Sequence, residues 1–291
     1  MYQYKLYNLT LTSCIEFKFL KQTPFLTSPD VEIAEEGLLK RHNDTINKYD
    51  AYIFRNGIGF FHIQAGKKII FNRQDSKVSD ETLTRSMINA VFGYLLYQRG
   101  YFVLHASALK FGISSFAFLG RSGSGKSSLI ADLSMNHGAD FICEDVACIS
   151  DHIEDISIIN APPLIKLSDE MSYKLNLNQN NKLNLISDRL NRSFYKVEEN
   201  TDANKLNACF FLEWGDSFSI EKLEDSSVLP VFLLNTYSCH PFNSCVDSSR
   251  DFHNFVHEFI KKIPIFKITR NKEDGFKTST DLINFLNDFI K

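Results

Sequence analysis

Eight consecutive residues carry the clearest chemical signal in the sequence. Residues 120–127 read GRSGSGKS and match the pattern G-x-x-x-x-G-K-[ST] in full, between an apolar strand-like run and an apolar helical run. Glycines let the backbone approach a phosphate closely, and the amides of the loop and of the helix start point at the anion. Lys126 would reach the β- and γ-phosphates, and the Ser127 hydroxyl would ligate Mg²⁺. The pattern therefore predicts a nucleotide site with these contact residues: Gly120, Arg121, Ser122, Gly123, Ser124, Gly125, Lys126, Ser127 and Ser128.

Two adjacent carboxylates, Glu144 and Asp145, follow this loop closely in the chain. They come directly after the strand-like run 140–143. A parallel strand reached by a right-handed crossover would end beside the loop, on the ligand side. One carboxylate there can hold Mg²⁺, and the other can accept the proton of an attacking hydroxyl. A solvated acidic turn between two strands is the alternative.

His105 is a further candidate, because it precedes the loop by one predicted hairpin. If residues 110–112 close that hairpin, His105 lies opposite Ala117 or Phe118, next to the mouth of the loop. On spacing alone, a structural histidine explains the residue better.

Three basic residues, Arg189, Arg192 and Lys196, lie in the segment ISDRLNRSFYK. They share one face if the segment is helical, and that face could clamp a transferring phosphate. A solvated surface explains them equally well. Residues 271–274, NKED, match the guanine-reading pattern N-K-x-D, but the chain has no D-x-x-G segment, so a chance match is the better explanation.

The elements that must position these residues fall into two regions. Residues 1–80 read as short strands with alternating apolar and polar residues, which predicts a mainly antiparallel sheet, and residues 81–291 read as the catalytic region. Ser79 is the expected cap of a helix that ends at Gly100. The later predicted elements are helices at 129–136, 252–261 and 280–289, and strands at 102–109, 113–119, 140–143, 146–149, 208–212, 217–223 and 228–234.

Composition limits the classes of function. The 291 residues are 44% hydrophobic and 23% charged, with a formal net charge of −3, which is typical of a globular protein and indicates neither nucleic acid nor a membrane surface as a partner. Six cysteines form no C-x-x-C pair, which favours free thiols. The first residues lack a basic and apolar leader, and no apolar stretch is long enough to span a bilayer. We expect a cytoplasmic protein.

Three segments together resemble the HPr kinase/phosphorylase family, and specifically its shorter HPr-kinase-related branch. They are LLYQRGYFVLHASAL, FLGRSGSGKSSLIADL and GADFICEDVACI. The resemblance implies an α/β P-loop kinase core related to phosphoenolpyruvate carboxykinase, and ATP-dependent phosphorylation of a serine hydroxyl with Mg²⁺. It places His105 beside the phosphates. It implies that Glu144 is the base and Asp145 the metal-side carboxylate, although the two roles could be reversed.

The acceptor implied by the resemblance is a serine of a peptide or protein. The chain lacks the second glycine-rich loop with which full-length family members engage HPr, whereas members of the shorter branch resemble tailoring kinases of ribosomally made peptides, including lasso peptides. The N-terminal sheet could grip an extended peptide by adding a strand. The family also implies a possible homo-oligomer. A kinase of a small hydroxylated metabolite and a nucleotide-sensing module without phosphotransfer are the alternatives.

Overall fold

The protein has a mixed α/β fold. The structure, a computed structural model, describes residues 1–25, 28–37, 49–150, 155–177, 182–183, 192–200, 202, 204–237, 250–275 and 277–290. The strands of these residues are β1 Tyr2–Leu6, β2 Leu9–Ser13, β3 Val31–Glu35, β4 Asp50–Arg55, β5 Gly59–Gln64, β6 Lys68–Arg73, β7 Phe102–Leu104, β8 Ser107–Phe111, β9 Ser114–Leu119, β10 Asp140–Cys143, β11 Ala147–Ile149, β12 Ile158–Ile159, β13 Leu164–Ser168, β14 Lys182–Leu183, β15 Arg192–Lys196, β16 Leu206–Trp214, β17 Ser219–Lys222 and β18 Ile265–Arg270. The α-helices are α1 Asp80–Ser86, α2 Phe92–Gln98, α3 Lys126–Asn136, α4 Asp169–Lys174, α5 Asp225–Asn235, α6 Arg250–Lys262 and α7 Lys277–Ile290.

The first sheet has the strand order β1-β2-β3-β6-β5-β4. Its outer ladders, β1–β2, β4–β5 and β5–β6, are antiparallel, whereas β3 pairs in parallel with both β2 and β6. The sequence pattern did not predict β3. The sheet is therefore mixed, because the long connection from β2 brings β3 back in the same direction.

The helix predicted after Ser79 is present, but it is interrupted. The Ser79 hydroxyl accepts a hydrogen bond from the Thr82 amide, and Gly100 follows the helical segment with φ +90°. Between α1 and α2 the residues Met87–Val91 form a π-helical turn, in which Asn89 leaves the helical region with φ −88° and ψ −105°. The apolar face of α1 and α2 packs in one core with the first sheet. This packing joins the two predicted regions through buried side chains.

The second sheet has the order β10-β8-β9-β16-β18-β17. Strands β9, β16 and β18 are parallel neighbours, so their carboxyl ends lie at the same edge. One apolar cluster packs α5 and α6 on one face of the sheet, and another packs α3 and α7 on the opposite face. The sheet is thus covered by helices on both faces, which is the arrangement that buries parallel strands.

The structure corrects the predicted hairpin register. Ser107 pairs with Phe118 and Ala108 pairs with Ala117, so His105 faces neither of its two predicted partners. The strand predicted over 102–109 is broken, and His105 lies in the break between β7 and β8. The predicted crossover also differs, since β10 pairs antiparallel with β8. It still runs in the direction of β9, with β8 between the two, so its carboxyl end reaches the edge expected for it.

One helix that was considered only as a condition is not formed, and one further prediction of secondary structure was wrong. Residues 192–196 are strand β15, paired with β13, rather than part of a helix. Their alternating burial, with Ser193 and Tyr195 inside, follows the period of a strand. Residues 228–234 belong to α5 rather than to a strand, since a short apolar run fits a buried helix as well as a strand. Arg189 lies outside the described residues.

Four cysteines of the described segments are free thiols. Cys143, Cys148 and Cys209 are buried, and Cys14 is exposed. Cys239 and Cys245 lie outside the described residues. Among the helices that the structure describes, none is both long and apolar enough to cross a membrane.

Candidate functional site

The glycine-rich loop, residues 120–125, connects β9 to α3 at the shared carboxyl edge of the second sheet. Gly120, Gly123 and Gly125 have φ values of +143°, +82° and +84°. A Cβ atom at Gly120 would approach the Leu212 carbonyl oxygen to 2.8 Å, and one at Gly125 would approach the Arg270 guanidinium to 2.8 Å. Positive φ and close packing both require glycine at these two positions. The loop thus has the backbone freedom that its sequence pattern predicts.

Lys126 is the first residue of α3 and is buried. Its Nζ donates a hydrogen bond of 2.7 Å to the Gly120 carbonyl and lies 3.5 Å from the Arg121 carbonyl. Burial lowers the pKa of Lys126, whereas the nearby charges of Asp145 and Glu144 act in the opposite direction. The ammonium group is therefore a buried cation, held against the loop that the sequence predicts to bind phosphate.

A cavity of about 720 Å³ opens beside this loop. Among the described residues its charged lining is strongly unbalanced, with one carboxylate, that of Asp145, against six basic side chains. The basic residues are Lys126, Lys166, Lys174, Arg192, Arg270 and Lys272. A concave site of this kind attracts multiply charged anions, although the whole chain carries a net charge of −3.

Most of the predicted nucleotide contacts line this cavity. Those that do are Ser122, Gly123, Gly125, Lys126, Ser127, Ser128 and Arg192. Gly120 and Ser124 are buried within the loop and Arg121 is exposed, and these three do not line it. The cavity also includes His105 and Asp145, so elements distant in sequence meet at one place.

Asp145 is held at the cavity by three side chains. Its φ of +63° is unusual for a residue other than glycine. The Asn89 amide donates to Oδ2 at 3.0 Å, while His105 Nε2 lies 3.5 Å from Oδ1 and Lys166 Nζ lies 3.7 Å from Oδ2. Burial alone would raise the pKa of Asp145, but the hydrogen bond with His105 and the charges of Lys166, His105 and Lys126 outweigh it and hold the pKa below its usual range. Asp145 is therefore an anion at neutral pH.

Backbone contacts tie this carboxylate to the loop. The His105 amide donates to the Asn235 carbonyl at 2.6 Å, and the Gly120 amide donates to the Asn235 side chain at 3.2 Å. The Tyr237 hydroxyl donates to the Asp145 carbonyl at 3.3 Å. The end of α5 therefore fixes His105, the loop and Asp145 relative to one another.

Glu144 has a different environment from its neighbour. It is only 8% exposed and does not line the cavity. Its Oε2 accepts a hydrogen bond of 2.6 Å from the Lys166 amide, whereas Oε1 accepts no hydrogen bond that meets normal geometry from the described residues. Burial, followed by the charge of Asp145, raises the pKa of Glu144 to about 8, against the opposing effects of the Ser127 hydroxyl and Lys166. The pair therefore consists of one ionised and one largely protonated carboxyl group at neutral pH.

These oxygen atoms fit a magnesium ion that is shared with a nucleotide. In the part of the chain that the structure describes, no group of three or more His, Cys, Asp or Glu residues could form a closed metal cage. Mg²⁺ in nucleotide sites needs no such cage, because one or two carboxylates act together with phosphate oxygens and water. Ser127 and Asp145 line the cavity and are suitable oxygen donors, whereas the carboxyl group of Glu144 would first have to release its proton.

Sequence reasoning missed several residues of the site. Asn89 and Lys166 contact the acidic pair, and neither belongs to a motif. Trp214 Nε1 donates to the Gly123 carbonyl at 2.9 Å, and Arg270 donates to the Ser124 carbonyl. These residues come from separate elements, and their shared location follows from the sheet order rather than from any local pattern.

Comparisons with known proteins add little. No family model and no curated protein matches the chain. Among solved structures, it is similar to the Hpr(Ser) kinase/phosphatase from Coxiella burnetii, over 65% of this chain and 99% of that chain, with 11% sequence identity and a TM-score of 0.34. A likeness this low does not establish a fold family or a reaction.

Proposed function

We propose that this protein is a P-loop kinase that transfers the γ-phosphoryl group of ATP to a serine hydroxyl of a peptide or protein. One observation carries the proposal, namely that a glycine-rich loop with a buried lysine and an ionised carboxylate held by a histidine meet in one cationic cavity. Phosphoryl transfer requires positioning and charge neutralisation more than covalent help. The cavity has groups for both.

The residues of the loop would bind the polyphosphate. The amides of the loop and of the first turn of α3 would donate to phosphate oxygens, and Lys126 would exchange its carbonyl partners for the β- and γ-phosphates. Lys166 and Arg192 also line the cavity and would neutralise further charge. Ser127 with one carboxylate of the acidic pair would hold Mg²⁺, which supplies charge neutralisation at the phosphates when bound.

The acidic pair would manage the proton of the acceptor. A bond forms between the serine oxygen and the γ-phosphorus as the bond to the bridging oxygen of ADP breaks, and the hydroxyl proton passes to a carboxylate. The geometry favours Asp145 for this role, because it lines the cavity and is ionised, and favours Glu144 for the metal side, because it lies beside Ser127. This assignment is the reverse of the one that the sequence resemblance implies.

The acceptor that we propose is a serine in an extended peptide, and more specifically in a ribosomally made peptide of the lasso type. In the described part of the first sheet, β4 is the last strand of the strand order, next to β5. An extended peptide can add to such an edge through backbone hydrogen bonds. Cytoplasmic location and homo-oligomer formation remain expectations from the sequence.

Mass spectrometry of protein, MgATP and a panel of serine peptides tests the proposal. We expect a gain of about 80 Da on a peptide and at least a 100-fold loss of rate in Lys126→Ala, since Lys126 contacts the loop at the centre of the cavity. Lys222→Ala, an exposed lysine on β17, is the matched control. Undiminished transfer by Lys126→Ala would refute the site.

Free serine and simple polyols belong in the same panel. Phosphorylation of these compounds without any peptide product would indicate a metabolite kinase. ATP binding without any phosphorylated acceptor would indicate a nucleotide sensor.

A further inference from the structure

We propose that Arg270 is a phosphate-binding residue of this cavity and that Trp214 is the platform that holds its guanidinium against the glycine-rich loop. The ligand class is a nucleoside di- or triphosphate bound through its polyphosphate. The inference rests on the proposed nucleotide site and names two of its residues that no motif predicts.

The sheet places both residues where a ligand would bind. Trp214 and Arg270 are paired across β16 and β18, and both stand at the carboxyl ends of these parallel strands. The neighbouring strand β9 leads directly into the glycine-rich loop. Ligands of open α/β sheets bind at this edge, outside the carboxyl ends of the strands.

Arg270 and Trp214 hold two consecutive carbonyls of the loop. The Trp214 indole donates to the Gly123 carbonyl, and the Arg270 guanidinium donates to the Ser124 carbonyl. In a planar trans peptide the amide points away from the carbonyl, so the Gly125 amide is directed away from Arg270. The contact therefore fixes the orientation of this peptide group within the loop.

The charge of Arg270 has no carboxylate partner within the described residues. The side chain is 5% exposed, its Nε has no hydrogen-bond partner among the residues that the structure describes, and the guanidinium lies 4.6 Å from the centre of the Trp214 ring. Burial alone lowers its pKa to about 10. Buried charges are normally paired, because an unpaired one is costly to desolvate. A ligand anion would supply the missing partner.

Lys272 strengthens the argument for a multiply charged ligand. Its Nζ lies 5.6 Å from the centre of the same Trp214 ring, and it lines the cavity. Two cations on one aromatic ring repel each other unless an anion lies between or beside them. A polyphosphate has several oxygens that can contact both groups.

Trp214 makes the test direct, because it is the only tryptophan in the chain and is 39% exposed in the cavity wall. Its fluorescence is titrated with MgATP, MgADP and inorganic pyrophosphate, and calorimetry provides a second readout. The variants are Arg270→Gln, which keeps a hydrogen-bond donor without the charge, and Arg270→Lys, which keeps the charge without the planar guanidinium donors. Lys267→Gln is the control, a lysine of the same strand that pairs with Glu221 at the surface.

We expect Arg270→Gln to raise the Kd of all three ligands about 10- to 100-fold, the value of a charged hydrogen bond. Arg270→Lys should raise the Kd values by a smaller factor, and Lys267→Gln should have the Kd values of the wild type. Thermal unfolding establishes that each variant is folded. If Arg270→Gln does not fold, the expected weakening is measured in Arg270→Lys together with Lys272→Ala.

Two results would overturn the inference while leaving the proposed function intact. One is unchanged affinity in the Arg270 variants when the wild type binds ATP. The other is a loss for ATP without any loss for pyrophosphate, which would place Arg270 against the nucleoside. A wild-type protein that binds none of the three ligands would overturn the inference and the nucleotide site together.

Discussion

Glu144 and Asp145 show how strongly the fold differentiates two neighbouring carboxylates. Asp145 turns into the cavity with φ +63° and receives the Asn89 amide, whereas Glu144 stays inside, against the Lys166 amide. Residues next to each other in a chain commonly point to opposite sides, and here one side is a cationic cavity and the other the protein interior. Their different pKa shifts follow from this difference in surroundings rather than from residue type.

At the scale of single residues, Glu144→Gln should change the pH dependence of stability. The folded protein raises the pKa of Glu144 from 4.5 to about 8. Between these values the folded state retains a proton that the unfolded state has released, so the free energy of unfolding falls as the pH rises. The stabilisation is full below about pH 4.5 and is lost through pH 8. Glutamine resembles the protonated acid and has no proton to lose.

Urea unfolding at pH 5 and pH 8.5, in EDTA and without nucleotide, measures this effect. We expect the wild type to lose more stability than Glu144→Gln over this range, by about 1–3 kcal/mol. Asp145 does not change the stability over this pH range. Its pKa is lowered in the folded state, so its contribution to the free energy of unfolding is lost only as the pH falls below about 4. Asp140→Asn, an exposed carboxylate on β10, the strand that leads to Glu144, is the control. Equal pH dependence in wild type and Glu144→Gln would contradict the prediction.

At the scale of elements, the π-helical turn between α1 and α2 is the least regular part of the site. Such turns interrupt α-helices at a cost in regular hydrogen bonding and are frequent at functional sites. Here the turn takes Asn89 out of the helical conformation, and its amide contacts Asp145. The irregularity therefore has an identifiable consequence, since it positions a donor for the carboxylate at the cavity.

Asn89→Ala should slow phosphoryl transfer without weakening nucleotide binding. Loss of one hydrogen bond to a charged group corresponds to about a 10- to 100-fold lower kcat, while the Kd of ATP, read from Trp214 fluorescence, should stay within about twofold because Asn89 does not line the cavity. Asn89→Asp should be slower still, because it would place a second carboxylate against that of Asp145. Asn72→Ala, whose side chain bonds the Glu36 carbonyl far along the first sheet, is the control. A matching loss in affinity would show that Asn89 supports the fold and has no separate role at Asp145.

Local patterns predicted those elements that depend on local chemistry. The Ser79 cap, the helix that ends before Gly100 and the strand–loop–helix around Lys126 follow from residue preferences and periodicity, and the structure has all three. The predictions of the hairpin register and of a strand at 228–234 were wrong. Tertiary packing decides both where the strand breaks at His105 and whether a short apolar run becomes a helix or a strand. Lys166 and Arg270 were missed for the same reason, since only the sheet order brings them to the loop. The roles assigned to the predicted site residues stay predictions.

At the scale of the whole molecule, one core crosses the boundary near residue 80 that the pattern of strands and helices predicts. Tyr7 of the first sheet is 2% exposed and belongs to the same apolar cluster as Leu95 of α2, Val146 beside the acidic pair, and Tyr237. The Tyr237 hydroxyl in turn contacts the Asp145 carbonyl. The first sheet therefore lies against the elements that hold the site, and its packing should affect both stability and the geometry of Asp145.

This shared core predicts that the chain unfolds in a single cooperative transition. Urea unfolding followed by Trp214 fluorescence reports on the second sheet, and far-UV circular dichroism reports on all elements. We expect the two midpoints to coincide, because one of the buried apolar clusters draws side chains from both regions. Tyr7→Ala, which removes a buried ring next to β1 and β2, should lower the free energy of unfolding by about 3–5 kcal/mol and shift both midpoints together to lower urea. Lys5→Ala, on the exposed face of β1, should shift neither midpoint. A separate early transition in the dichroism signal, with Trp214 unaffected by Tyr7→Ala, would show instead that residues 1–80 form an independent domain.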